Sequence, residues 1–306
     1  MSKTAECIVF ANTKGGTGKT TSCLSIAGYL AKSGSKVLVV DFDPQANATS
    51  GLGIDAMTLP YSMYDVVLAQ CDGYEGVPIT RVILETDVEN LHVAPSEMDL
   101  AVAEVLVQRT RNRTGILNRA LEEVRSLYDY ILIDLPPSSG PLMINGLCAS
   151  DQVVVPVDPS IFSLEALEDL RALFRDIKRM AGHSINQITV ILVRYVRAHL
   201  FSRMLRQRNP SQKVEASLRE MFHTVFIVPN STEIYEAQRE GIPISHHAPR
   251  SRIGGAYAKI ARSISRLPPQ PPNIGGSRTV SPPGLGGVGG RLGGYPDLNN
   301  SSLKRR

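Results

Sequence analysis

Six runs of apolar, largely β-branched residues punctuate the chain: CIVFA (7–11), KVLVVDFD (36–43), YDYILIDLPP (128–137), DQVVVPVDP (151–159), ITVILVRYV (188–196) and TVFIVPN (224–230). Their apolar centres are continuous rather than alternating. A strand that is apolar on both sides is buried on both faces, which is the signature of a parallel sheet covered by helices. Between these runs, apolar residues recur at helical spacing over 20–32, 97–108, 112–126 and 163–181. Gly34 stops the first of these segments. The alternation predicts an α/β fold, a doubly wound and mostly parallel sheet with helices on both faces. Such sheets bind ligands just beyond the carboxyl ends of their strands. That is where this chain places its glycines and aspartates.

Composition changes at Pro268. The last 39 residues hold 9 Gly and 7 Pro, and nothing there can build a core. The organisation expected is one folded domain over 1–267 and a disordered Gly/Pro-rich tail over 268–306. No apolar run reaches the roughly 18–20 residues of a membrane span. The opening MSKTAECIVF enters a strand directly, without the pattern of a signal peptide. Cys7, Cys23, Cys71 and Cys148 are far apart, with no CxxC pair, and read as reduced, mostly buried residues of a cytoplasmic protein. The net charge of +4 hides an asymmetry: residues 1–183 sum to −8, residues 184–267 to +8 and residues 268–306 to +4. A basic late segment is suited to facing a polyanion.

The most specific local signal is KGGTGKT (14–20), between a strand and a helix. Gly15, Gly16 and Gly18 allow the backbone to curl and aim successive N–H groups at phosphate oxygens. The helix start adds partial positive charge. Lys19 is expected to reach the β- and γ-phosphates of a nucleotide, and the Thr20 hydroxyl to ligate Mg²⁺. Thr13 stands where the generic loop has glycine, and an extra lysine, Lys14, precedes the glycines. Asp134 ends the YILID strand, the place for a carboxylate at the Mg²⁺ water shell. Asp41 and Asp43 end VLVVDFD, and one carboxylate there is suited to orienting an attacking water.

KGGTGKTT, VLVVDFDPQANATSGLG, YDYILIDLPPS and VVPVDPSIFSLEAL, in this order, resemble the ParA family of partition ATPases, of the deviant Walker A (ParA/MinD) group of P-loop proteins. The resemblance spans roughly residues 5–265. It implies an ATP- and Mg²⁺-dependent hydrolase in which Lys14 crosses a homodimer interface to touch the partner's nucleotide. It assigns ATP to Lys14, Gly15, Gly16, Thr17, Gly18, Lys19, Thr20 and Thr21, and places the adenine near Pro229 and Asn230. It makes Lys14, Lys19 and Asp43 the catalytic set, with Asp43 positioning water, and puts Thr20, Asp41 and Asp134 around the metal. It implies nonspecific double-stranded DNA as a ligand, with Arg194, Arg197, Arg203, Arg206, Arg208 and Lys213 as the densest basic run, and a ParB-like or cargo-adaptor protein that stimulates hydrolysis. Localisation follows as cytoplasmic and nucleoid-associated. The segment PNSTEIYEAQREGIP (229–243) departs from the arginine-bearing stretch usual in the family.

Other members of the same P-loop group need features that this sequence replaces. A MinD-like membrane switch ends in an amphipathic helix, where this chain has its Gly/Pro-rich tail. An iron–sulfur carrier has cysteine after YILID, where this chain has LPPSSG. Pump or targeting ATPases carry a CxxC clamp, amide-forming cobyrinate-type enzymes an attached glutaminase domain, and tyrosine kinases a terminal tyrosine cluster. The alternative to a turning-over ATPase is a nucleotide-gated scaffold or MinD-like positioning switch with little turnover. His246 and His247 are adjacent and read as surface histidines rather than a metal pair.

Overall fold

The computed structural model describes residues 4–160, 163–185, 187–196 and 210–265. Its strands are β1 (Glu6–Phe10), β2 (Val37–Asp41), β3 (Leu84–Glu85), β4 (Leu91–Ala94), β5 (Tyr130–Asp134), β6 (Gln152–Val157), β7 (Ile188–Tyr195) and β8 (Val225–Pro229). They form one sheet in the order β3-β4-β2-β5-β1-β6-β7-β8. Every neighbouring pair is parallel except β3 and β4. The six apolar runs supply six of these strands. The other two, β3 and β4, extend the sheet beyond β2. They have two and four residues, too short to register as apolar runs.

The continuous apolar strands serve two cores. Cys7, Val9, Leu38, Val40, Ile131 and Ile133 face one side. Ile8, Phe10, Val37, Val39 and Leu132 face the other. The first side is covered by α3 (Met63–Leu68), α4 (Leu100–Arg109), α5 (Ile116–Glu122), α6 (Pro141–Cys148), α7 (Ser163–Ala181) and α8 (Pro210–Met221). The second is covered by α1 (Lys19–Lys32), the short α2 (Asn47–Ser50), α9 (Glu233–Arg239), α10 (Ile244–His247) and α11 (Arg252–Ile264). Each fully buried aliphatic or aromatic side chain contributes about 1.5–3 kcal/mol relative to exposure, so both faces are needed to hold so apolar a sheet. Among the described residues, no helix is long and apolar enough to cross a membrane. Cys7, Cys23 and Cys71 are buried, Cys148 is partly so, and all four are free thiols.

What positions the site is where the central strands stop. Phe10 and Asp41 both lie in register with Asp134. The loops after β1, β2 and β5 therefore emerge side by side at one sheet edge. Tyr257 of α11 is fully buried and its hydroxyl meets Ser22 Oγ at 3.1 Å. This ties the last helix to α1 one turn behind the glycine loop. The proposed tail over 268–306 lies outside the described residues.

Candidate nucleotide site

The loop after β1 is built from both sides. Asn12 is buried and donates from Nδ2 to the Pro156 carbonyl at 2.7 Å, while its Oδ1 accepts from the Lys14 N–H at 3.0 Å. That pins the loop entry to β6. Gly16 and Gly18 have φ of 70° and 83°, a left-handed backbone that a residue with a Cβ adopts only with strain. Gly18 is the N-cap of α1 and supplies no side chain to its first turn, so the N–H groups there stay open to a ligand.

A cleft of about 480 Å³ opens over this loop. Gly16, Thr17, Gly18, Lys19, Thr20, Thr21 and Asp43 line it, with Pro137 from the β5 loop. Lys19 is 7% exposed. Burial pushes its ammonium below the usual lysine range, and Asp134 and Asp43 push back. Asp134 is fully buried, and neither carboxylate oxygen has a hydrogen-bond partner of normal geometry among the described residues. Burial, and next the Asp41 charge, drive its pKa well above the carboxylate range; the nearby Thr20 hydroxyl and Lys19 oppose that without reversing it. An unpaired buried carboxylate is costly, and a cation with its water shell would relieve that cost. The described residues form no cluster of three or more His, Cys, Asp or Glu able to cage a metal. Mg²⁺ keeps several waters and takes one or two protein ligands plus phosphate oxygens, so Asp134 with the Thr20 hydroxyl fits the protein's share of such a site.

The three strand-end aspartates separate by geometry. Asp41 Oδ2 accepts from both the N–H and the hydroxyl of Thr49, each at 2.7 Å, and Oδ1 accepts from the Asp43 N–H at 3.3 Å. Burial raises its pKa to about 6 in spite of these bonds. The Thr49 hydroxyl in turn accepts from the Ser96 N–H at 2.9 Å. Asp41 is thus occupied in tying the 43–49 loop to the sheet, whereas Asp43 lines the cleft. The metal role expected of both Asp41 and Asp134 is better matched by Asp134.

Lys14 does not line this cleft. Its Nζ donates to Asp158 Oδ1 and Oδ2 at 2.9 and 3.1 Å and to Ser160 Oγ at 2.7 Å, beyond the end of β6. Pro229 and Asn230 line an adjoining cavity of about 120 Å³, together with Gly18, Thr21, Val193, Val228 and Tyr257. Apolar walls with a few polar groups suit a nucleotide base. Of the residues expected to face DNA, Lys213 is exposed on α8, whereas Arg197, Arg203, Arg206 and Arg208 lie outside the described residues. Arg194 lines both the cleft and the adjoining cavity, and its Nη2 donates to the Gly16 carbonyl. Sequence reasoning missed Gln45, Asn47 and Gln238 in the cleft wall. Gln238 donates from Nε2 to Thr21 Oγ1 at 2.9 Å from 217 residues away, which no local pattern announces.

The family description "AAA domain" matches residues 5–188. The sporulation initiation inhibitor protein Soj of Bacillus subtilis is 36% identical over 259 residues, covering 84% of this chain and 97% of Soj. The chromosome-partitioning ATPase Soj of Treponema pallidum is 36% identical over 257 residues, covering 84% of this chain and 96% of that protein.

This chain belongs to the Soj/ParA family.

Among solved structures, cobyrinic acid a,c-diamide synthase from Mycobacterium smegmatis with bound ADP and magnesium has a TM-score of 0.67 at 26% identity, covering 85% of this chain and 94% of that one. The Soj/ParA chain therefore shares its fold with a protein named for a different chemistry. A shared fold does not fix the chemistry, which is set by the site.

Proposed function

We propose that this chain is a partition or positioning ATPase that closes into a dimer around ATP, holds DNA without regard to sequence, and lets go on hydrolysis. The observation that carries the reading is the pair of lysines. Lys19 is buried in the cleft, and Lys14, five residues earlier, is turned out of it toward Asp158 and Ser160. A cation placed there is poorly set to serve its own γ-phosphate and well set to meet a partner's, as an arginine finger supplied in trans does.

The chain's residues divide the work. The loop N–H groups and Lys19 hold the β- and γ-phosphates. Thr20 would ligate Mg²⁺ directly, and Asp134 would hold its water shell. The ion, when bound, draws off charge that develops on the phosphate oxygens. Asp43 orients a water. The water oxygen bonds the γ-phosphorus as the bond to the β,γ-bridging oxygen breaks, ADP leaves, and both protons of the water end on the released phosphate, one kept on the attacking oxygen and one passed to another phosphate oxygen. Pro229 and Asn230 hold the base.

The +8 balance of residues 184–267 supports a DNA face, with Lys213 and the arginines at 197, 203, 206 and 208 as its densest part. Cytoplasmic, nucleoid-associated placement and a ParB-like or cargo-adaptor partner follow from that reading. The test is binding to random-sequence double-stranded DNA with ADP, ATP and a slowly hydrolysed ATP analogue, across a salt titration. Binding with ATP and the analogue only, weakening steeply with salt, is the expected result. No binding in any nucleotide state would overturn the DNA part and leave a protein scaffold or MinD-like switch.

A further inference from the structure

Arg194 stands apart from the other basic residues of its segment. It is the penultimate residue of β7 and lies within a register shift between Leu192 and Tyr195. Its φ is 51°, a left-handed conformation unusual for a long side chain and strained for it. This local distortion aims the side chain back over the phosphate loop, where Nη2 donates to the Gly16 carbonyl. The residue lines the phosphate cleft and the base cavity alike. Its charge is also close enough to Tyr257, behind the base cavity, to oppose that phenol's burial-driven rise in pKa. It therefore stands where a nucleotide's sugar and first phosphates would pass from one cavity to the other.

We propose that Arg194 is a nucleotide-positioning residue and not part of the DNA face. Two effects follow from the geometry. The peptide joining Gly16 to Thr17 is planar, with its C=O and N–H antiparallel. A guanidinium bound to the Gly16 oxygen therefore fixes the direction of the Thr17 N–H, one of the loop donors. The guanidinium also has five N–H donors in a rigid fork, and Gly16 takes only one. The remainder can serve phosphate oxygens, for which arginine's planar fork is well matched.

The inference rests on the nucleotide reading of the cleft, and the experiment separates the two. Adenosine, AMP, ADP and ATP are titrated against the wild type, Arg194→Ala and Arg194→Lys. DNA binding at saturating ATP is measured across salt for each. The expected result is a loss of about tenfold for ADP and ATP in Arg194→Ala, with adenosine unchanged. Arg194→Lys should recover part of the loss, because it keeps the charge and loses the fork. The slope of log affinity for DNA against log salt should not change. Unchanged ADP and ATP affinity would overturn the assignment. So would an equal loss for adenosine and ATP, which would mark a packing role in the base cavity. A salt slope shallower by about one would return Arg194 to the DNA face. Failure of the wild type to bind ADP or ATP would instead overturn the nucleotide reading and the Arg194 assignment with it.

Discussion

Asp134 answers to two opposed demands. Folding must bury it at the carboxyl end of β5, yet it has no hydrogen-bond partner of normal geometry among the described residues. Its raised pKa means that the folded state binds its proton more tightly than the unfolded state does. That contribution to stability is present at acid pH and lost as pH rises through the folded value. Asp41, raised to about 6 from 3.8, acts in the same sense, so nucleotide-free protein should lose stability as pH rises toward about 6. Asp134→Asn should raise the melting temperature of nucleotide-free protein near neutral pH, by about 2–4 °C for each kcal/mol relieved. It should also remove the further stabilisation given by Mg²⁺ with ATP. Thermal melts with and without Mg·ATP check both; a lower apo melting temperature would contradict the account of Asp134. Asp43 is a different case, since it lines the cleft and its loop is held by Asp41. Asp43→Ala should keep ATP binding and lower turnover by about 10²–10⁴-fold. Normal turnover would remove Asp43 from the catalytic set.

At the scale of elements, the critical contact is between α1 and the segment leading into α10. A Cβ added at Gly28 would come within 2.3 Å of Ser245 Oγ and 2.7 Å of Pro243 Cβ. Lys32, one turn on, donates from Nζ to the Ser245 carbonyl at 2.8 Å. The helix that carries Lys19 and Thr20 is therefore seated against the C-terminal part of the domain. Gly28→Ala should cost about 1–3 kcal/mol by overpacking, read from denaturant midpoints, and an unchanged midpoint would mean the segment yields freely. Much of this level was legible in the sequence. α7 spans 163–181 as its periodicity requires, and α4 and α5 fall inside 97–108 and 112–126 to within a residue. What escaped notice has physical reasons. The four residues of β4 include a polar one, His92. α11 carries Gly254 and Gly255 in its first turn, which weakens its helical signal. The loop and its aspartates were legible because phosphate chemistry needs those residue types at that spacing. Gln238 and Arg194 were not, because only the folded sheet brings β7 and α9 to the loop.

For the whole molecule, the charge division acquires a structural meaning. The acidic part, residues 1–183, carries the loop and all three strand-end aspartates, and the basic part follows it. The basic part also reaches the nucleotide, through Arg194 and Gln238 in the cleft wall and Pro229 and Asn230 in the adjoining cavity, so the proposed DNA face and the nucleotide share one stretch of chain and need a coupling between them. In this account the coupling is dimerisation, driven by a lysine that serves the partner's nucleotide. In the single chain that lysine is held by Asp158 and Ser160, and closing the dimer must exchange those bonds for phosphate. The most direct test is the molar mass in solution by light scattering, with ADP and with a slowly hydrolysed ATP analogue, for wild type and Lys14→Ala. The account predicts that the analogue doubles the wild-type mass and ADP does not, while Lys14→Ala binds the analogue and remains a monomer. A Lys14→Ala protein that dimerises as the wild type does, or a wild type that binds the analogue and stays monomeric, would contradict it.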